Sequence, residues 1–149
     1  MSLGNTAESD FLLLTFNNTN WANVGDATGL RGSSTAGSFY IALSTGTLTE
    51  TSTQTTTEAT FTNYARVAVA RSSGGWTISG TAPTQAANTA AVTYPTCGAS
   101  GNTVTDFSIG RDSSGAGEVL WYGALTSSLA ISNGITASFA IGALVATLD

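Results

Sequence analysis

Histidine and lysine are both missing from this sequence, and cysteine occurs once, at Cys97. Without an imidazole base there is no Ser–His–Asp or Cys–His nucleophile system. Without lysine there is neither Schiff-base chemistry nor a P-loop. One cysteine cannot build a zinc site, which takes several His or Cys ligands, and it has no partner for an intrachain disulfide, which leaves the redox compartment open. Cys97 therefore reads as a small core or loop residue. Charge is scarce as well: 9% of residues are charged, against about 25% in an average soluble domain. The four cations, Arg31, Arg66, Arg71 and Arg111, are scattered along a chain of net charge −5. They cannot form the basic cluster that neutralises phosphates, so no nucleic-acid partner is expected. No apolar run approaches the roughly 20 residues that span a bilayer. The opening Met1-Ser-Leu-Gly-Asn also lacks the basic and apolar segments of a secretory signal. The expectation is a protein with no membrane partner, made in a cytoplasm and reaching any outside surface as part of a particle. The alternating Asp and Asn before Gly of a calcium loop is missing too, and no metal or cofactor is expected.

Hydroxyl groups take the place of charge. Serine and threonine together supply 44 of the 149 residues. Such side chains suit exposed strand positions, because threonine has high β propensity and packs its methyl while its hydroxyl faces water. A length of 149 residues fits one domain with a core of its own, and residues 1–149 are read as a single β-sandwich domain.

One helix is expected, over residues 5–17. Asn5 and Glu8 have the spacing of a capping box, and Phe11, Leu12, Leu13, Leu14 and Phe16 form an apolar stripe. The stripe plugs the end of a β core or docks into a neighbour. The run from Thr19 to Gly37 is rich in turn formers, with Trp21 as its anchor. Strands are predicted at Phe39–Ser44, Tyr64–Ala70, Trp76–Ser79 and Ala91–Tyr94, the last closed by Pro95. Between the first two, residues 45–57 hold eight threonines and one sizeable apolar side chain, and read as an exposed loop or arm.

The plainest signal runs from Val104 to Leu125. Val104-Thr-Asp-Phe-Ser-Ile-Gly alternates faces with period two. Val119-Leu-Trp-Tyr-Gly-Ala-Leu is apolar enough to suggest a strand covered on both sides. Asp112-Ser-Ser-Gly-Ala-Gly between them reads as the reversal of a hairpin at the centre of a sheet. Asn133-Gly134 is a type I′ hairpin signal returning through Ile135–Phe139, and Leu144–Leu148 closes the chain. The total is eight to nine short antiparallel strands plus one N-terminal helix: mainly β, a sandwich or jelly roll.

Two chemistries are weighed against this inert picture. Asp106, Asp112 and Glu118 share one hairpin, and a glycosidase uses two acids about 5 to 9.5 Å apart. The simpler reading gives Asp112 to the turn and pairs Glu118 with Arg111. Trp76, Trp121, Tyr122 and Tyr64 could stack on sugars, but strands this apolar put them in the core. Arg66 and Arg71 fall on opposite strand faces, and at least one is expected in an ion pair or a subunit contact. With Phe11, Leu14 and Trp21 they are the candidate partner contacts.

Six segments occur in a familiar order: Ser38-Phe-Tyr-Ile-Ala-Leu-Ser, Glu58 with Tyr64-Ala-Arg-Val-Ala-Val, Ala90-Ala-Val-Thr-Tyr-Pro-Thr, Val104-Thr-Asp-Phe-Ser-Ile-Gly, Gly117-Glu-Val-Leu-Trp-Tyr-Gly-Ala-Leu and Phe139-Ala-Ile-Gly-Ala-Leu. Together they resemble a family of small virion proteins of tailed bacteriophages, often labelled tail-fibre proteins. The sequence departs from that pattern in the threonine-rich segment 45–57 and in a longer loop after Trp21. The resemblance implies a non-enzymatic virion protein. The reading favoured at this level is a head decoration or cement protein, a homotrimer bound to the major capsid protein. The alternative is a tail-fibre or tail-tip component that works with tail proteins and binds host surface carbohydrate.

Overall fold

The computed structural model describes residues 3–22, 24–25, 29, 32–81 and 83–148. Its elements are α1 (Asn5–Asn17), β1 (Ser38–Ser44), β2 (Val67–Ala70), β3 (Trp76–Ser79), β4 (Thr84–Asn88), β5 (Val92–Thr93), β6 (Asn102–Gly110), β7 (Val119–Ile131), β8 (Ser138–Phe139) and β9 (Val145–Leu148). The chain is mainly β, with one N-terminal helix and several antiparallel sheets, the class expected of a β-sandwich. It forms two compact units interleaved in sequence: Met1–Ser38 with Ala70–Ala91 and Phe139–Asp149, and Phe39–Val69 with Val92–Ser138.

In the first unit α1 lies against the sheet β3-β4-β9. Glu8, Leu12 and Phe16, spaced by four, are its buried face, as a helix packed along one stripe requires. Phe16 meets Trp76 edge-on, with ring centroids 4.7 Å apart, a favoured geometry for aromatic quadrupoles. The helix has the expected bounds but not the expected cap. Gly4 is the cap residue, and no side chain caps the N-terminus. Glu8 instead turns inward, where its carboxylate accepts from the Thr84 hydroxyl at 3.0 Å. With β4 packed on that face, the carboxylate takes a fixed hydroxyl rather than a backbone N–H. Asn18 ends the helix in the left-handed region, φ 56°, a conformation asparagine tolerates.

Strand β4 has no counterpart in the sequence reading. Its buried positions are Thr84, Ala86 and Asn88, so the period-two signal is carried by small and polar side chains. Asn88 is 2% exposed. Its amide donates to the carbonyls of Ala90 (2.8 Å) and Ala140 (2.9 Å), and its side-chain oxygen accepts from the Leu144 N–H at 2.9 Å. A buried amide is tolerated because both ends are satisfied.

The second unit is built on the sheet β2-β1-β6-β7. Ile41 faces Ile109 and Leu43 faces Phe107 across β1 and β6. Phe39, Ile41 and Leu43 are buried as expected, but so are Ala42 and Ser44, so β1 is covered on both faces towards its end. The Val104–Leu125 hairpin is present. However, β6 is an interior strand, beside β1, while β7 is one of the two edges, with β2 the other, among the described residues. Correspondingly β7 is not covered on both sides: Tyr122 is 43% exposed, and Thr126 to Ala130 all face solvent. Trp121 and Tyr122 point to opposite faces of this strand, and the face that carries Tyr122 is open to solvent. A register shift lets residues 125–128 face Thr105 alone, between the pairs Val104–Leu129 and Asp106–Ala124; such bulges distort an edge against further pairing.

The Asn133-Gly134 turn is present, closed by Ile135 N–H donating to Ser132 O at 2.9 Å. Only Gly134, not Asn133, has positive φ, so it is not type I′. Nor does the returning chain pair with β7. Cys97 N–H donates to Ile135 O and Tyr94 N–H to Ala137 O, which reduces the expected Ile135–Phe139 strand to the short β8. A turn motif specifies a reversal, and tertiary packing selects the partner.

Two substitutions separate burial from capping in α1. Leu12→Ala is expected to lower stability by about 2–5 kcal/mol, while Asn5→Ala changes it by less than about 0.5 kcal/mol, both read by urea denaturation. A loss near 1 kcal/mol for Asn5→Ala, typical of a lost cap, contradicts the cap assignment.

Candidate functional site

The second unit contains a cleft of about 500 Å³, lined by Thr55, Glu58, Ala59, Thr60, Tyr64, Ala65, Arg66, Ser113, Ser114 and Gly115. Three stretches form it: the end of the threonine-rich segment, the approach to β2, and the β6–β7 turn. At its base Arg66, with a side chain 2% exposed, forms a fork on Glu58: Nε to Oε1 and a terminal nitrogen to Oε2, both 2.7 Å. The same guanidinium donates to the carbonyls of Asp112 (2.8 Å) and Gly115 (2.7 Å). The carboxylate raises the Arg66 pKa above its ordinary value, against the opposing effect of burial. The Tyr64 hydroxyl donates to Glu58 Oε1 and accepts from Leu43 N–H, each at 3.0 Å. Its ring lies edge-on to Phe61 and stacked on Tyr94. Burial, first of all, pushes both phenols upward; the neighbouring Glu58 charge adds to this.

The threonine-rich segment 45–57 is a loop, and Thr45, Thr47, Thr49, Thr51, Thr55 and Thr57 are exposed. It is not a free arm. Leu48 and Gln54 are buried, and Thr57, with φ 47°, sits within a knot of hydroxyls: Ser44 Oγ lies 2.5 Å from Thr57 Oγ1 and donates to Gly46 O at 2.8 Å. Gln54 connects the segment to the turn wall. Its N–H donates to Gly117 O (2.9 Å), and its side-chain oxygen accepts from Asp112 N–H (3.0 Å). Gly110 and Gly117 leave room for it, since a Cβ at either position overlaps the Gln54 side chain.

Of the candidate contacts, Arg66 belongs to this cleft and the other four to the first unit. There Arg71 donates to Thr15 O (2.7 Å), Leu14 O (3.2 Å) and Ala36 O (3.1 Å). A cation on the last carbonyls of α1 suits the negative end of the helix dipole; burial lowers its pKa. Both arginines are thus engaged within the chain, Arg66 in the expected ion pair. Phe11, Leu14 and Trp21 are half-buried.

In the sequence Glu58 is visible only as a motif residue, and nothing marks Gln54, a lone glutamine among threonines. Trp76 is core, as expected, whereas Tyr122 is largely exposed.

Asp106 and Glu118, two of the three acids of the β6–β7 hairpin, lie in different settings. Asp106 is buried at 5% exposure, while Glu118 is exposed and pairs with Arg111 at 3.0 Å. Gly110, which faces the neighbour of Glu118, lies four strand residues from Asp106, about 13 Å. Glu58 accepts three donors from Arg66 and Tyr64. Among the described residues no group of three His, Cys, Asp or Glu could hold a metal ion, and no helix is long and apolar enough to cross a membrane.

Arg66→Met strands a largely buried carboxylate and is expected to cost about 3 kcal/mol, with the Glu58→Leu/Arg66→Met double variant costing less than the sum of the singles. Denaturant titration of the four-member cycle measures the coupling. The phenols give a second expectation. Their folded-state pKa values lie above the unfolded value of about 10, so their contribution is fully present below pH ~10 and is lost as pH rises further. The phenolate absorbance of Tyr64 and Tyr94, assigned with Tyr→Phe variants, should therefore appear together with unfolding rather than before it.

No curated protein matches the chain. A family model does: that of the podophage GP4 fiber I protein gp80, over residues 5–147. The match begins at the first residue of α1 and ends within β9, taking in both units and the cleft. This chain belongs to the podophage GP4 fiber I protein gp80 family, a family of phage virion structural proteins.

Proposed function

We propose that the protein is a non-enzymatic fibre component on the tail of a podophage particle, acting in several copies as a homotrimer. The observation that carries this reading is the family match, whose description names a fibre protein. The chemistry agrees with it. The partly buried Glu58 is committed to Arg66 and Tyr64, and the exposed run of β7 offers Thr126, Ser127 and Ser128 beside Leu129. A hydroxyl-rich strand surface without charges costs less to desolvate than a charged one when it packs against another protein and its hydroxyls find partners there. Repetition of the chain then multiplies modest contacts by avidity.

A second reading, a head decoration protein bound to the major capsid protein, is favoured by one observation. The longest described strand has 13 residues, and no repeated shaft runs through the described elements, as a self-sufficient fibre needs.

Quantitative mass spectrometry of purified particles, with antibody labelling in electron micrographs, separates the two. Tail location at a copy number far below that of the major shell protein is expected. Labelling spread over the head, in proportion to the shell protein, overturns the fibre reading in favour of decoration.

A further inference from the structure

We propose that Asn133 is a site of spontaneous deamidation, and that the backbone pairing of residues 94–97 with 134–137 sets how fast it reacts. The proposal is independent of the fibre reading above. Nine asparagines occur in the sequence, and Asn133 alone precedes a glycine. The reaction is an attack by the following backbone nitrogen on the side-chain amide carbon, and a following residue without Cβ leaves that approach open. Asn133 and Gly134 are both exposed. The Asn133 amide makes no hydrogen bond among the described residues, and a Cβ built at Gly134 meets nothing within 4 Å. In the reaction the Gly134 nitrogen loses its proton to solvent and forms a bond to Asn133 Cγ. The bond from Cγ to the side-chain nitrogen breaks, and that nitrogen takes up a proton and leaves as ammonia. Water then opens the cyclic imide at either carbonyl. One opening gives aspartate; the other gives isoaspartate, whose main chain runs through the former side chain and is one carbon longer.

The fold holds the nucleophile back. Gly134 N–H donates to Cys97 O at 2.8 Å, while Cys97 N–H donates to Ile135 O and Tyr94 N–H to Ala137 O, each at 2.9 Å. The hydroxyls of Thr96 and Thr136 meet at 2.6 Å across the same two stretches. The turn itself, with Ile135 N–H on Ser132 O and positive φ at Gly134 but not at Asn133, has the type II pattern. That pattern extends the backbone at Asn133 and carries the Gly134 nitrogen away from the side chain it must attack. Ring closure therefore requires the Gly134 hydrogen bond to open and the 133–134 peptide to rotate. Short surface pairings of this kind open locally without global unfolding, so the folded chain reacts at a rate set by that opening. The product is conspicuous in its surroundings, because residues 119–148 contain no charged side chain. A carboxylate at 133 is the first charge there, and isoaspartate lengthens a turn whose hydrogen bonds hold two stretches in register. Water does not restore the amide, so each molecule carries a one-way record of its age.

The experiment incubates the full chain at mildly alkaline pH, native and in guanidinium chloride, and follows every asparagine by peptide mapping with mass spectrometry, aspartate and isoaspartate being separated by chromatography. In the native chain both products are expected at 133, ahead of every other asparagine, with conversion about tenfold or more slower than in denaturant. Thr96→Val, nearly isosteric and far from Asn133 in sequence, removes the hydroxyl contact across the pairing. It should speed native conversion severalfold and leave the rate in denaturant unchanged, which a purely local effect of the Asn-Gly sequence does not do. The proposal is overturned if another asparagine converts faster than Asn133 in the native chain, if native and denatured chains convert at the same rate, or if folded Thr96→Val converts like the parent. It is overturned equally if no product forms at 133 in the native chain within about a hundred denatured-state half-lives. The comparison of native with denatured chain needs no variant, so it stands even if Thr96→Val does not fold. None of these outcomes touches the fibre reading, which is decided by location on the particle.

Discussion

The second unit depends on how one guanidinium is satisfied. Arg66 sits almost wholly out of water and is acceptable there because Glu58 meets it in a fork and two backbone carbonyls take further donors. A buried pair of this kind is weak support for net stability, since both partners give up hydration. Its effect is geometric. It sets the position of the 112–115 turn relative to Glu58, and Glu58 in turn orients Tyr64, whose ring stacks on Tyr94. The walls of the cleft follow from that arrangement.

The first unit solves a related problem with different chemistry. Arg71 is held by the carbonyls that close α1, where partial negative charge accumulates. Glu8 is buried against a threonine hydroxyl, and Asn88 knits three backbone groups of its unit. In a chain with four cations and nine anions, the internal polar groups are matched largely by hydroxyls, amides and backbone. Much of the exterior is left to serine and threonine.

Several elements were legible because their signal is local. The bounds of α1 follow from the apolar stretch and the Asn17-Asn18 pair that ends it, although the capping box read at its start does not form. β1, β3 and β6 show period-two alternation with large side chains. The Arg111–Glu118 pair follows from facing positions at a hairpin mouth. β4 was not legible, because its buried side chains are Thr84, Ala86 and Asn88, which resemble a loop. The threonine-rich segment misled in a similar way. Its composition predicts solvation, yet Gln54 and Leu48 reach inward and hydroxyls tie its turns together. Glu58 was visible as a residue and invisible as a partner, since it lies eight positions before Arg66 with no regular element joining them.

The sequence by itself determined the class and the chemistry that is missing: a mainly β chain with one leading helix, and no imidazole or lysine for nucleophilic designs. Composition and periodicity suffice for both, because each depends on residue type or on near neighbours. Tertiary structure alone decided that β7 is an edge and β6 an interior strand, that the chain after Asn133-Gly134 pairs with the 92–97 stretch, and that Glu58, Tyr64 and Arg66 converge beneath a cleft. Those outcomes rest on which distant segments compete for the same buried surface and the same hydrogen-bonding groups. That competition is settled only when the chain is packed.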